Sequence, residues 1–154
     1  MVLGRESGRE VYGLVHEALA LLDRGAAPEP LLRAFELHLL TVTGYAPAFD
    51  RCRACGRTPE GERPLYLVLE RGGFVCRTCV RPNEPVRPVA AATARELARL
   101  AAGPLAAAST GADAAVLREA ATVAESMIGA VVAGPVHARE FLVRARVDSP
   151  GGVR

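Results

Sequence analysis

Four cysteines stand in two matching pairs, Cys52-Arg-Ala-Cys55 and Cys76-Arg-Thr-Cys79, and the sequence holds no others. Two residues between partners let a tight turn aim both sulfurs at one cation, and twenty residues between the pairs fall near the upper end of the spacing for a four-cysteine zinc site. Four thiolates already complete a tetrahedron around Zn2+, so the metal reads as structural, with no open position for a substrate. The competing chemistries are two disulfides, or a redox-active disulfide at each pair. The charged opening Met-Val-Leu-Gly-Arg-Glu lacks the apolar stretch of a signal peptide, so an oxidising compartment is not expected. Neither pair opens a helix behind a buried strand, as a thioredoxin-type motif does. Zinc is therefore the leading reading.

Other catalytic chemistry finds little support. His16, His38 and His137 are remote in sequence from the cysteines. His38 falls on an apolar helix and reads as a core or boundary histidine, and His16 as a surface one. Glu36 and Glu140 have no evident carboxylate partner for acid–base work and read as pairing or surface groups. A phosphate-binding loop of the GxxxxGK[ST] type is absent, and the chain contains no lysine at all. The expectation is a protein that is not an enzyme.

The elements that must position the cysteines follow from periodicity. Val11, Leu14, Val15, Ala18, Leu19 and Leu22 form the apolar face of a helix ending at Gly25. A second helix starts near Pro28, carries Leu31, Leu32, Phe35, Leu39 and Leu40, and stops at Gly44. Between the cysteine pairs, Leu65 to Leu69 is β-prone, Arg71-Gly72-Gly73 is a turn, and Phe74-Val75 leads into Cys76, which is the pattern of a zinc-ribbon hairpin. Gly56 supplies the positive φ that such a knuckle needs. Arg81 to Pro88 is too rich in proline for a regular element and reads as a loop. Helices follow over 91–102 and 113–133, and a short helical or extended piece around 136–147 is anchored by Phe141 and Leu142.

The fold class is thus mainly α: a helical bundle with an inserted four-cysteine zinc ribbon carrying a small β-hairpin. Residues 1–50 make the first part of the helical domain, 51–81 the insertion, 82–148 the second part, and 149–154 a flexible tail. An insertion of about 30 residues is too short to build its own core, so metal binding, worth on the order of 10 kcal/mol, supplies its folding free energy.

All nineteen basic residues are arginine, against seventeen acids. Abundant Ala, Gly and Pro point to a GC-rich genome as the main cause, so missing lysine is not itself a sign of nucleic-acid binding. Arg51, Arg53, Arg57, Arg77 and Arg81 flank the cysteines, where they offset thiolate charge and could meet phosphates. Arg139, Arg144 and Arg146 form a second candidate phosphate-contacting group. No stretch is long and apolar enough to cross a bilayer, and a cytoplasmic protein is expected.

Several strings, in order, resemble the C-terminal region of the RecO family of bacterial recombination mediators. They are Leu31 to Leu40 (LLRAFELHLL), Gly44-Tyr45-Ala46-Pro47 with Asp50-Arg51-Cys52 behind it, the two cysteine pairs with Gly72-Gly73 before the second, and Ala138 to Leu142 (AREFL). The resemblance implies DNA repair and homologous recombination: binding to single- and double-stranded DNA, strand annealing, and loading of RecA together with RecR. It also implies docking on the acidic, hydrophobic-ended C-terminal tail of single-stranded-DNA-binding protein, through an apolar pocket rimmed by arginine. Family members carry an OB-fold ahead of the point where this chain opens, so a short form with weakened DNA affinity is implied. His137 and Ala138 depart from the basic residue and serine common in the family. The rival readings are a zinc-stabilised protein-interaction domain that has lost DNA binding, and a zinc-ribbon transcription or translation factor.

Overall fold

The computed structural model describes residues 5–58, 61, 63–108 and 112–132. Helix α1 spans Arg5–Asp23 and α2 spans Pro28–Val42; strands β1 (Leu65–Val68), β2 (Gly73–Val75) and β3 (Arg87–Val89) follow, then α3 (Ala91–Ala102) and α4 (Ala114–Val131). The first two helices end in the same hydrogen-bonded turn. Gly25 and Gly44 take φ of +86° and +90°, while Ala26 and Tyr45 donate back to the carbonyls of Leu21 and Leu40. Helix α2 starts on Pro28, which needs no N–H partner there, and α4 is capped by the Asp113 carboxylate, which accepts from the Ala115 N–H at 2.6 Å.

The sheet is antiparallel with order β2-β1-β3: β1 and β2 form the hairpin expected from sequence, and a third strand takes up the end of the segment expected to be a proline-rich loop. Arg87 and Pro88, the end of that loop, sit opposite Leu67 and Tyr66 on the sheet edge. Proline is tolerated on such an edge because its missing N–H need not join a ladder. Proline content is therefore a poor reason to exclude a strand whose ladder runs along only one side.

Alternation along these short strands decides what each face touches. Leu65, Leu67, Phe74 and Val89 join the main core, with Leu31, Leu37 and Leu40 of α2, Leu97 and Leu100 of α3, and Val123, Ala124 and Met127 of α4. Val68 and Val75 turn the opposite way, onto Cys52, with Tyr66, Cys76, Cys79, Val80 and Val86 around them. The sheet is thus one wall of the helical body and, on its other face, the floor of the cysteine cluster.

Two more contacts bind the body together. The His38 ring nitrogen Nε2 lies 3.2 Å from the Leu100 carbonyl, joining α2 to α3 in the boundary role expected for it. The Glu119 carboxylate of α4 accepts from the Thr93 hydroxyl and from the Ala90 N–H, so a neighbouring helix caps α3 where its own Ala90 cannot.

Helix α1 departs from its predicted packing. Leu14 is buried, and Ala18 and Leu21 pack against the core, but Val15, Leu19 and Leu22 are exposed together with Tyr12. The apolar arc of this helix is wider than the face that α2 covers. His16 is exposed as expected and stacks on Tyr12 with ring centroids 6.5 Å apart. The expected piece around residues 136–147 lies outside the described residues.

Candidate metal centre

The first knuckle is a loop closed by backbone bonds. The Gly56 N–H donates to the Cys52 carbonyl and the Cys52 N–H to the Arg57 carbonyl, both at 2.8 Å, and Gly56 takes the left-handed φ of +73° that the turn requires. The Arg53 N–H donates to the Phe74 carbonyl at 2.8 Å, which fastens this knuckle to β2. The second knuckle is the 3₁₀ turn Arg77–Cys79, in which the Cys79 N–H donates to the Cys76 carbonyl at 2.9 Å.

These turns bring the four Sγ atoms within 4.8 Å of one another, with Cys55 and Cys76 separated by 3.9 Å. A tetrahedron of zinc–sulfur bonds of about 2.3 Å has sulfur–sulfur edges of about 3.8 Å, so the cluster needs only slight contraction to hold an ion. All four thiols are free rather than paired as disulfides. Cys52 is buried, and Cys55 faces solvent. Among the described residues, no other group of three or more Cys, His, Asp or Glu side chains is so placed.

The surroundings favour thiolate at the buried end. Burial pushes the Cys52 thiol pKa up, but N–H groups of Cys76, Cys55 and Ala54 together outweigh it and bring the pKa down to about 6. The Cys76 N–H reaches the Cys52 sulfur at 3.4 Å. The Thr78 hydroxyl, 3.2 Å from Cys76 Sγ, lowers that thiol as well. Cys79 is pushed up to about 12, first by its hydrogen bond to Cys76. Donors aimed at sulfur in advance are what a cation-binding thiolate site requires.

One clamp has no sequence signal. Arg71, at the hairpin turn, pairs with Glu84 at 2.7 Å and also donates to the Cys79 carbonyl at 3.3 Å, while Glu84 accepts from the Arg81 N–H at 3.0 Å. The two side chains are 15% and 8% exposed, so the pair is largely withdrawn from water. It locks the second knuckle to the hairpin. The partners stand thirteen positions apart in the chain, with no motif to link them.

The arginines divide by environment. Arg51, Arg53, Arg57, Arg77 and Arg81 are all exposed around the knuckles. Arg51 is paired with Asp50 at 2.7 Å, and Arg53 donates its Nε to the Arg71 carbonyl at 2.9 Å. Arg139, Arg144 and Arg146, with Glu140, Phe141 and Leu142, lie outside the described residues. An apolar cavity of about 270 Å³ opens between the C-terminal ends of α2 and α4, lined by Leu39, Leu40, Tyr45, Ile128, Val131 and Val132. Its charged lining residue is Glu36, joined to Arg33 at 2.9 Å.

Comparison with known proteins places the sequence beside one family. The family model described as "Recombination protein O C terminal" matches residues 1–140. The DNA repair protein RecO of Anaeromyxobacter sp. strain Fw109-5 is 36% identical over 143 residues, covering 92% of this chain and 56% of that protein. DNA repair protein RecO of Syntrophus aciditrophicus is 37% identical over 92 residues, covering 58% and 36%, and that of Myxococcus xanthus is 43% identical over 83 residues, covering 53% and 33%. The chain spans between about a third and just over half the length of these relatives. A helical body, a cysteine cluster in the position the resemblance implied, and a match over nearly the whole length place this chain in the RecO family, as a counterpart of its C-terminal region.

Proposed function

We propose that the chain is a non-catalytic DNA-repair module in which a structural Zn2+, held by Cys52, Cys55, Cys76 and Cys79, fixes an arginine-bearing surface that meets nucleic-acid phosphates. The observation that carries this reading is the set of five exposed arginines borne by the two knuckles and their immediate flanks. Zinc suits the donor set because soft thiolates in tetrahedral array select it over harder cations, and a closed four-sulfur shell leaves it no catalytic position. A bound tetrathiolate ion carries net negative charge, which the flanking arginines offset locally while keeping outward-facing donors.

Arg57, Arg77 and Arg81 contribute charge to this surface alongside Arg51 and Arg53, and Arg139, Arg144 and Arg146 extend it if the chain beyond α4 approaches the same strand. The wider roles of single- and double-stranded DNA binding, annealing and RecA loading with RecR belong to this proposal. Docking on the tail of single-stranded-DNA-binding protein belongs to it too. The cavity between α2 and α4 suits the hydrophobic end of that tail, whose carboxylates would have to face away from Glu36. The same chain with DNA handling lost is the rival reading.

Binding to a single-stranded oligonucleotide over a salt series separates the two. The proposal expects log affinity to fall with log salt at a slope of about −0.7 per phosphate neutralised, several phosphates in all, and a shallower slope for Arg77→Ala and Arg81→Ala together. No binding at low salt would leave only the protein-interaction reading.

A further inference from the structure

The face of α1 that the body leaves open has a pattern of its own. Gly8, Tyr12, Val15, Leu19 and Leu22 recur at intervals of four, three, four and three residues, the spacing of a coiled-coil seam. Tyr12 is 73% exposed and Leu19 60%, so the seam runs along the outside of the helix. The inward row of Leu14, Ala18 and Leu21 meets the core, mainly through α2 and the turn at Leu105–Ala107. This surface is a second, separate apolar face.

What flanks the seam selects its occupant. Arg9, His16 and Asp23 are exposed along one edge, each one heptad from the next. Arg9 and Asp23 are therefore equidistant from His16 and opposite in charge. Laid antiparallel on a copy of itself, with the twofold axis near the helix middle, α1 sets Arg9 against Asp23 of the second copy at both ends and His16 against His16 between them. A parallel pairing would set this edge against the side of the helix that carries Val11 and Ala18, which offers no charge. Tyr12 stacks on His16 at the helix surface, so a large amphipathic ring sits on this face.

We propose that α1 is a self-association surface through which two copies of this chain pair antiparallel, the Tyr12, Val15, Leu19 and Leu22 rows interleaved and the Arg9–Asp23 pairs closing each end. The dimer carries two metal centres, giving two separated points of contact for one extended ligand.

Sedimentation of the full chain over a concentration series tests this. Wild type should show a monomer–dimer equilibrium, and Leu19→Glu, which places a charge in the seam of both copies, should weaken it on the order of a hundredfold. Arg9→Glu should weaken it by about tenfold, and adding Asp23→Arg should restore it to within about threefold of wild type. Both edge residues are exposed, so the charge-swapped pair remains informative even where Leu19→Glu lowers helical circular dichroism. A protein that stays monomeric at the highest concentration overturns the proposal, as does association indifferent to Leu19→Glu. A monomer whose seam is covered by residues 133–154, or by the additional region of a longer relative, overturns it equally.

Discussion

Replacing Gly73 by alanine probes how tightly the metal centre is tied to the rest of the molecule. A Cβ at this position would lie 2.5 Å from the Ala48 carbonyl oxygen, 3.1 Å from its nitrogen and 3.2 Å from its carbonyl carbon, where ordinary contact begins at 3.4 Å. All three are backbone atoms, so relief requires moving one chain past the other by about 0.9 Å. That motion breaks the bridge in which the Phe74 N–H donates to the Ala48 carbonyl at 3.2 Å and the Ala48 N–H to the Gly72 carbonyl at 3.3 Å. Two hydrogen bonds at about 1 kcal/mol each, with about 1–3 kcal/mol of overpacking, give a loss of about 3–5 kcal/mol. For a chain of this size the unfolding midpoint should fall by roughly 6–20 °C. The disturbance reaches Phe74, whose carbonyl holds the first knuckle through the Arg53 N–H, so metal affinity should weaken by about tenfold as well. Thermal unfolding by circular dichroism and competition with a chromophoric chelator measure the two effects. Gly129→Ala, on an exposed position of α4 with no atom within 4 Å of the new Cβ, should instead stabilise by about 0.5–1 kcal/mol. A Gly73→Ala protein within about 0.5 kcal/mol of wild type would refute the close-approach argument.

Purification under reducing conditions should yield one zinc per chain, and chelation at neutral pH should loosen residues 52–79 in hydrogen exchange while α2, α3 and α4 stay protected; uniform loss or uniform retention of protection would contradict the division of roles. Arg71→Ala and Glu84→Ala should each cost about 2–4 kcal/mol, because each leaves a largely buried charge without its partner, and the double variant should lose at least about 1 kcal/mol less than their sum. Strict additivity in a denaturation series would remove the clamp. In the metal-free protein, Cys52 has its folded pKa lowered to about 6 from 9.0, so its contribution is complete above pH 9 and disappears as pH falls through 6. The stability difference between wild type and Cys52→Ser should therefore shrink across that window, and a difference constant from pH 9 to 6 would show that the N–H groups do not stabilise the thiolate.

The helices were legible because each carries both a periodic apolar face and a chemical stop. Gly25, Gly44 and the Gly103-Pro104 pair sit where α1, α2 and α3 end, and Asp113 caps α4. The cysteine cluster was legible for a similar reason, since two residues between ligands leave few geometries. Strand β3 was not, because the cue for a loop and the cue for an edge strand are both proline. The open face of α1 was hidden by its own regularity: spacing at three and four residues reports that a helix has an apolar side, not how much of that side a single domain covers. The Arg71–Glu84 clamp and the Glu119 cap on α3 were invisible because their partners meet only through tertiary folding.

The order β2-β1-β3 leaves a sheet with two margins, and neither is available. Along β3 the middle residue is Pro88, which has no amide hydrogen to offer, and its neighbour Arg87 is exposed and charged. Along β2 the backbone at Gly73 is already taken by Ala48. An extended peptide therefore cannot lengthen this sheet by strand addition, nor can one molecule template the β-aggregation of another from here. On the nucleic-acid reading proposed above, recognition by this part of the protein proceeds through side chains, where the exposed arginines stand.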